Sequence, residues 1–160
     1  MDFFKDIDTQ LFEWVQLGPD DKDDKVREFI SSGASPQWTT CYGYSVLHQA
    51  AYTGLVSVAR LLLDNGWELD LATNEGDTPL HLAAFWGEVD MLQFLADRGA
   101  LINPQNTSLE TPLHNAAKEG GSAAARLLLN LGADRSVEND KGKTAEELCK
   151  DEETRAVFDS

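Results

Sequence analysis

Hydrophobic residues along the chain recur with helical spacing in short segments that glycines separate. In one segment Val89, Leu92, Phe94 and Leu95 recur in a helical pattern, and Gly99 follows shortly after. Apolar residues at intervals of three and four indicate an amphipathic helix, and glycine at its C-terminal end tolerates a left-handed backbone. The pattern therefore predicts a helix that buries one face and ends before Gly99.

A shorter helix is predicted just before it, in the sequence TPLHLAAFWG that begins at Thr78. The Thr78 hydroxyl can accept a hydrogen bond from an N–H group of the first turn, and Pro79 stands where a missing N–H has no consequence. Leucines and alanines fill the middle of the segment and allow close packing, and Gly87 ends it. Two helices joined by a tight turn are therefore the predicted unit.

This unit recurs along the chain with a period of 33 residues. Four sets of positions share that period, one of histidine, one of hydroxyl residues and two of glycine. They are His48, His81 and His114; Ser45, Thr78, Thr111 and Thr144; Gly33, Gly66, Gly99 and Gly132; and Gly54, Gly87 and Gly120. Since one helix pair cannot bury its apolar face alone, neighbouring pairs are expected to stack.

A 33-residue period that carries the motif T-P-L-H resembles the ankyrin repeat family. The resemblance implies an all-α solenoid of about four and a half helix-turn-helix units with projecting β-turn fingers. We expect a single ankyrin repeat domain over residues 1–160, with repeats numbered in chain order. The first, a capping repeat, covers 1–39; the full repeats cover 40–72, 73–105 and 106–138; the truncated fifth, a second cap, covers 139–160.

The three histidines occupy equivalent places in successive repeats. Stacked helices lie about 10 Å apart, so His48, His81 and His114 form a ladder and cannot share one zinc ion at a ligand distance of about 2.0 Å. The resemblance implies a structural role, in which each imidazole orders the adjoining turns. The chain also lacks G-x-x-x-x-G-K, G-x-G-x-x-G, C-x-x-C and H-E-x-x-H motifs. We therefore expect no metal, no cofactor and no catalytic residue.

The charge of the chain limits its partners. With 13 basic and 28 acidic side chains the net charge is −15, which repels nucleic acids and anionic membranes and attracts basic partners. No stretch reaches the roughly 20 apolar residues of a membrane span, and no basic segment precedes an apolar one near Met1. We expect a soluble monomer in the cytoplasm or nucleus, where Cys41 and Cys149 stay reduced.

The partner surface is predicted from residues that the repeat itself does not explain. The resemblance implies that finger tips and the exposed ends of the first helices line a concave face. The partner-binding residues predicted there are Trp38, Tyr42, Tyr44, Tyr52, Glu75, Asp77, Phe85, Trp86, Glu110 and Glu119, with Ser108 and Lys118 alongside. Exposed aromatic clusters bordered by charge are typical of binding surfaces.

The predicted function is a non-catalytic adaptor or scaffold that binds a basic or mixed basic and apolar peptide or protein on this face. One alternative is an enzyme inhibitor or a regulatory or targeting subunit that acts by stoichiometric binding. A second is a methyl-lysine reader, with Tyr52, Phe85 and Trp86 as a cage near Glu75 or Asp77. A module cut from a longer scaffold and an enzyme are further alternatives, and the start at Met1 and the charged last repeat favour a complete chain over such a module.

Leu109, Trp67 and Leu101 depart from the repeat pattern. Leu109 stands where other fingers have Gly43, Gly76 and Gly142, so we expect its finger to adopt a different turn or Leu109 to contact an apolar neighbour. Trp67 replaces a small residue after the second helix of its repeat. It either covers a junction between repeats or forms a second interaction point.

Overall fold

The computed structural model describes residues 6–17, 22–119 and 121–159, and these contain nine α-helices and no β-strand. The helices are α1 Ile7–Leu17, α2 Lys22–Ser31, α3 Val46–Tyr52, α4 Val56–Asp64, α5 Pro79–Trp86, α6 Val89–Asp97, α7 Pro112–Lys118, α8 Ser122–Asn130 and α9 Glu152–Ala156. Short 3₁₀ helices cover Glu146–Leu148 and Val157–Asp159. The expectations for the chain start at Met1 and for Gly120 lie outside the described residues. No helix in the described part is long and apolar enough to span a membrane.

The helices form two layers. Helix α1 packs on α3, α3 on α5 and α5 on α7, while α2, α4, α6 and α8 stack in the same order beside them. Helices α3, α5 and α7 begin at Val46, Pro79 and Pro112, so the stack follows the 33-residue period. This architecture confirms the predicted all-α repeat solenoid.

The core runs along the interface between the layers. Leucines from both layers are fully buried, and paired alanines such as Ala83 and Ala84 allow the first helices to approach closely. The prediction that Val89 belongs to the buried face of α6 was wrong. Val89 is only half-buried, whereas Met91 is fully buried. A residue at the first position of a short helix contacts fewer neighbours than one a half-turn later.

Trp67 belongs to this core. Its side chain is only 4% exposed, so the alternative of a second interaction point is wrong. The indole nitrogen is buried without a hydrogen-bond partner among the described residues. Burial of a large aromatic surface offsets the lost hydrogen bond, because aromatic side chains contribute a large share of core burial.

The fingers are closed turns that are linked to one another by backbone hydrogen bonds. In the third repeat Thr73 N–H donates to the Asp77 carbonyl at 2.9 Å, and Gly76 N–H donates to the Thr73 carbonyl at 2.9 Å. The neighbouring tips are joined by single bonds, such as Thr107 N–H to the Glu75 carbonyl at 2.8 Å. The finger of each full repeat is therefore held by its neighbours.

The expectation of a different turn at Leu109 was wrong. Leu109 has φ of 57°, in the same left-handed region as Gly76 at 83°, and its N–H donates to Asn106 O at 2.9 Å as in the other fingers. The side chain is 46% exposed and does not bury itself against an apolar neighbour. The bonds between fingers impose the turn in spite of local strain, which costs a branched residue about 1–2 kcal/mol.

Replacing Leu109 with glycine is expected to stabilise the protein. Relief of the left-handed strain exceeds the extra backbone entropy of glycine, which is about 0.5–1 kcal/mol, so the free energy of unfolding should rise by about 0.5–1 kcal/mol. Urea denaturation measures this change. The reverse substitution Gly142→Leu, at the equivalent finger position with φ of 67°, should destabilise the protein. Equal stability of Leu109→Gly and the wild type would contradict the strain argument.

Candidate functional site

Each histidine connects its own first helix to the finger of the next repeat. The Nδ1 atom accepts a hydrogen bond from the N–H group at the start of its helix, and Nε2 lies within hydrogen-bond distance of a carbonyl oxygen one finger further on. The Nδ1 contacts are with the N–H groups of Ser45, Thr78 and Thr111, each at 3.1 Å. The Nε2 contacts are with the carbonyls of Asp77, Glu110 and Lys143 at 3.1, 3.0 and 3.2 Å.

This geometry assigns the tautomer. Since Nδ1 accepts from a backbone N–H, the proton resides on Nε2 and is donated to the carbonyl. Burial lowers the pKa of His48 to about 4, and it also lowers the pKa of His81 and of His114. The imidazoles are thus neutral, and both nitrogens hold backbone groups. The predicted hydroxyl cap is secondary, because Ser45 Oγ accepts from His48 N–H only at 3.4 Å.

A groove of about 560 Å³ opens along the finger side of the first helices. It collects residues from α1, α3, α5 and α7 and from two fingers. Six of the predicted partner-binding residues line it: Tyr42, Tyr44, Tyr52, Asp77, Phe85 and Trp86. The repeat stacking thus brings side chains from the second and third repeats onto one surface, which we call the aromatic groove.

The aromatic rings of this groove pack edge to face. The centroids of Tyr52 and Trp86 are 4.7 Å apart with planes at 63°, and those of Phe85 and Trp86 are 5.3 Å apart at 67°. Trp86 remains 50% exposed and Tyr42 70% exposed. Tyr52, Phe85 and Trp86 therefore form a continuous aromatic wall that is partly exposed in the groove.

The rings proposed for a methyl-lysine cage touch each other directly. At a centroid distance of 4.7 Å, Tyr52 and Trp86 leave no room for an ammonium group between them. A cation approaching this wall would meet it from the groove side only. The geometry therefore does not favour a cage built from these three rings.

The other predicted partner-binding residues lie outside the groove lining. Trp38 is partly buried and packs on Phe12, with centroids 5.7 Å apart, and Glu75 is exposed at a finger tip. Glu110 pairs with Lys118 at 2.9 Å and Glu119 pairs with Lys150 at 3.3 Å. The two acids of the fourth repeat are therefore already neutralised within the chain.

Six further residues line the groove and were missed at the sequence level: Phe12, Gln16, Thr40, Gln49, Leu82 and Asn115. Gln49, Leu82 and Asn115 follow the three histidines directly, so the period could have identified them as one row. Phe12 and Gln16 lie in α1, where the repeat motif is absent and no register could be assigned.

The field in the groove is negative. Burial raises the pKa of Tyr44, and the nearby carboxylates of Asp77 and Glu75 raise it further. Asp77 Oδ1 accepts a hydrogen bond from Asn106 Nδ2 at 2.9 Å, which holds the carboxylate in place. An oriented carboxylate beside aromatic faces is suited to a cation.

Comparison with protein families identifies the repeats. A family model described as "Ankyrin repeats (3 copies)" matches residues 15–106, and one described as "Ankyrin repeats (many copies)" matches residues 95–149. Comparison with curated proteins gives no match. Ankyrin repeats are generally protein–protein interaction modules. The first model alone covers more than half of the chain, and the helix stacking agrees with it, so the chain belongs to the ankyrin repeat family.

Proposed function

We propose that this protein is a non-catalytic adaptor whose aromatic groove binds a basic or mixed basic and apolar segment of a protein partner. The observation that carries the proposal is the aromatic wall of Tyr52, Phe85 and Trp86 beside the carboxylate of Asp77 in one groove. Tryptophan and tyrosine contribute much of the energy at protein interfaces when a partner excludes water from them. A carboxylate beside them adds selectivity for positive charge.

The groove is also held in shape before any partner arrives. His48 Nε2–H donates to the Asp77 carbonyl, and Asn74 N–H donates to the Tyr42 carbonyl at 3.0 Å, so the two fingers are tied to the helices and to each other. A site that is ordered in advance loses less conformational entropy on binding. This supports binding of an extended peptide without rearrangement of the fingers.

The chemistry of the groove favours binding over catalysis. Both nitrogens of His48 are engaged with backbone groups, so the imidazole is not free to transfer a proton. The acid in the groove, Asp77, is held by Asn106. We therefore assign binding without bond formation as the role of this surface.

We further propose that the protein acts as a monomer in the cytoplasm or nucleus. Cys41 is exposed and Cys149 is partly buried, and both are free thiols. Free thiols are maintained in reducing compartments. A net charge of −15 opposes association of identical chains.

Removal of two of the groove rings is expected to weaken peptide binding. Peptides selected from a random display library against the wild type should carry Lys or Arg next to an aromatic or aliphatic residue. The double variant Tyr44→Ala/Trp86→Ala should bind them at least about tenfold more weakly in fluorescence anisotropy, since aromatic anchors contribute roughly 1–2 kcal/mol each.

The matched control is Leu101→Ala, because Leu101 is exposed but lies outside the groove lining. It should bind the selected peptides as the wild type does. Circular dichroism should show the native helix content in both variants. Equal affinity of the double variant and the wild type would place the binding surface elsewhere.

A further inference from the structure

The third and fourth repeats each carry an acidic residue at the equivalent finger position, and the side chains around the two acids differ. Asp77 and Glu110 are separated by one period, and so are the residues at the ends of their first helices, Phe85 and Lys118. Both acids accept a hydrogen bond from an asparagine of the next finger, Asn106 Nδ2 in one case and Asn139 Nδ2 in the other. The two frameworks share this bond and differ in the helix-end residue and in the acid, which is an aspartate in the third repeat and the longer glutamate in the fourth.

In the fourth repeat the chain supplies its own cation. Lys118 Nζ lies 2.9 and 3.1 Å from the two carboxylate oxygens of Glu110. The Glu110 side chain is only 12% exposed, so this ion pair is partly shielded from water and is stronger than a surface pair. The fourth repeat therefore shows how an ammonium group sits against a finger acid in this fold.

In the third repeat that cation is missing. Phe85 occupies the place of the lysine, and the ion pairs formed by the described residues do not include Asp77. Asp77 lines the groove together with Phe85 and Tyr44. A carboxylate held beside two aromatic rings, without a counter-ion, is left facing the groove.

We propose that a single Lys or Arg side chain of the partner pairs with Asp77 in the aromatic groove, in the position that Lys118 occupies against Glu110 one repeat later. This inference rests on the proposed function and adds to it the point at which charge is recognised. The fourth repeat does not recognise charge, because its own lysine fills the equivalent place.

Two capped peptides test the proposal, acetyl-Leu-Lys-Trp-Leu-amide and the same peptide with norleucine in place of lysine. Norleucine keeps most of the aliphatic chain and removes the charge. Binding is followed by the backbone amide shifts of Tyr44, Asp77 and Phe85 in NMR titrations. The lysine peptide should bind about tenfold more tightly than the norleucine peptide, as expected for a partly desolvated charge pair.

Matched substitutions separate the two repeats. Asp77→Asn should remove the preference for the lysine peptide, whereas Glu110→Gln should leave it unchanged, because Glu110 is already paired with Lys118. Phe85→Lys should close the third-repeat site with an internal ion pair. Phe85→Met removes the ring without adding a charge, so it should weaken the binding of both peptides and keep the ratio of their affinities. Lys118→Phe should open a second site, seen as new shifts at Glu110 with the lysine peptide only.

The outcomes distinguish the two proposals. If both peptides bind the groove equally and Asp77→Asn has no effect, the recognition of charge at Asp77 is wrong while the adaptor function stands. A peptide that does not shift the groove amides at a concentration of about 10 mM has a dissociation constant above the millimolar range of weak complexes. If neither peptide shifts them at that concentration, both proposals are wrong. Absence of a second site in Lys118→Phe would also overturn the equivalence of the repeats.

Discussion

Replacing His81 with alanine is expected to lower the free energy of unfolding by about 3 kcal/mol. The substitution removes the acceptor for Thr78 N–H, which is left without a partner in a buried region. It also removes one of two donors to the Glu110 carbonyl, which keeps the bond from Asn106 N–H at 3.0 Å. Each unsatisfied buried group costs about 1–3 kcal/mol. The cavity left by the imidazole adds to the loss, since His81 is fully buried. Urea denaturation followed by circular dichroism measures the change.

The fifth repeat provides a matched control. Glu147 takes the place of the histidine there, and its Oε2 accepts from Thr144 N–H at 2.9 Å. Glu147 is exposed, and its hydrogen bonds among the described residues are only to Thr144 of the same repeat, so Glu147→Ala removes only a local cap, worth about 1 kcal/mol or less. A loss at His81→Ala no larger than that at Glu147→Ala would show that the link between repeats contributes nothing.

Acidification is expected to destabilise the protein through the same histidines. The pKa of His48 in the folded state is about 4, below the unfolded value of about 6.5, so the unfolded chain binds more protons in between. The contribution of the neutral, buried His48 ring to the free energy of unfolding is fully present above about pH 6.5 and is lost as the pH falls toward 4. At pH 5.0 the loss from His48 alone is about 2 kcal/mol. The lowered pKa values of His81 and His114 act in the same direction.

The pH effect is measured by urea denaturation at pH 7.5 and 5.0, above the isoelectric point near 4.4. The variant His48→Gln cannot titrate at that position, so its stability should fall less between the two pH values, whatever its stability at pH 7.5. NMR of the His48 imidazole nitrogens should show a neutral ring with its proton on Nε2 at pH 6. A cationic His48 ring, with protons on both nitrogens at pH 6, would contradict the assigned tautomer and the argument from burial.

Local sequence rules predicted the helices better than the fingers. Thr78, Pro79 and Gly87 mark the two ends of α5, because caps and a left-handed C-terminal residue act within one turn of chain. At Leu109 the same local reasoning failed. Its finger is bonded on both sides, through Thr107 N–H to Glu75 O and Asp140 N–H to Ser108 O, and these contacts outweigh the backbone preference of leucine.

The groove was predictable where the repeat register is clear. Tyr42, Tyr44, Tyr52, Phe85 and Trp86 stand at finger and helix-end positions, and the structure places them in one groove. Their part in binding is still a prediction. Phe12 and Gln16 were not foreseen because α1 lacks the motif that assigns register. Trp38 lies outside the groove lining and packs on Phe12, a contact that depends on the orientation of α1, and its part in binding is still a prediction.

By itself the sequence determined the period, and with it the stacked helix pairs and the ladder of buried histidines, because each repeat encodes its own caps and turns. Only the tertiary structure decided which acids face the groove without a counter-ion. Lys118 reaches Glu110 within its repeat, and Lys150 reaches Glu119 across repeats. Charge pairing depends on separations of a few ångströms through space, which helix packing determines and sequence spacing does not.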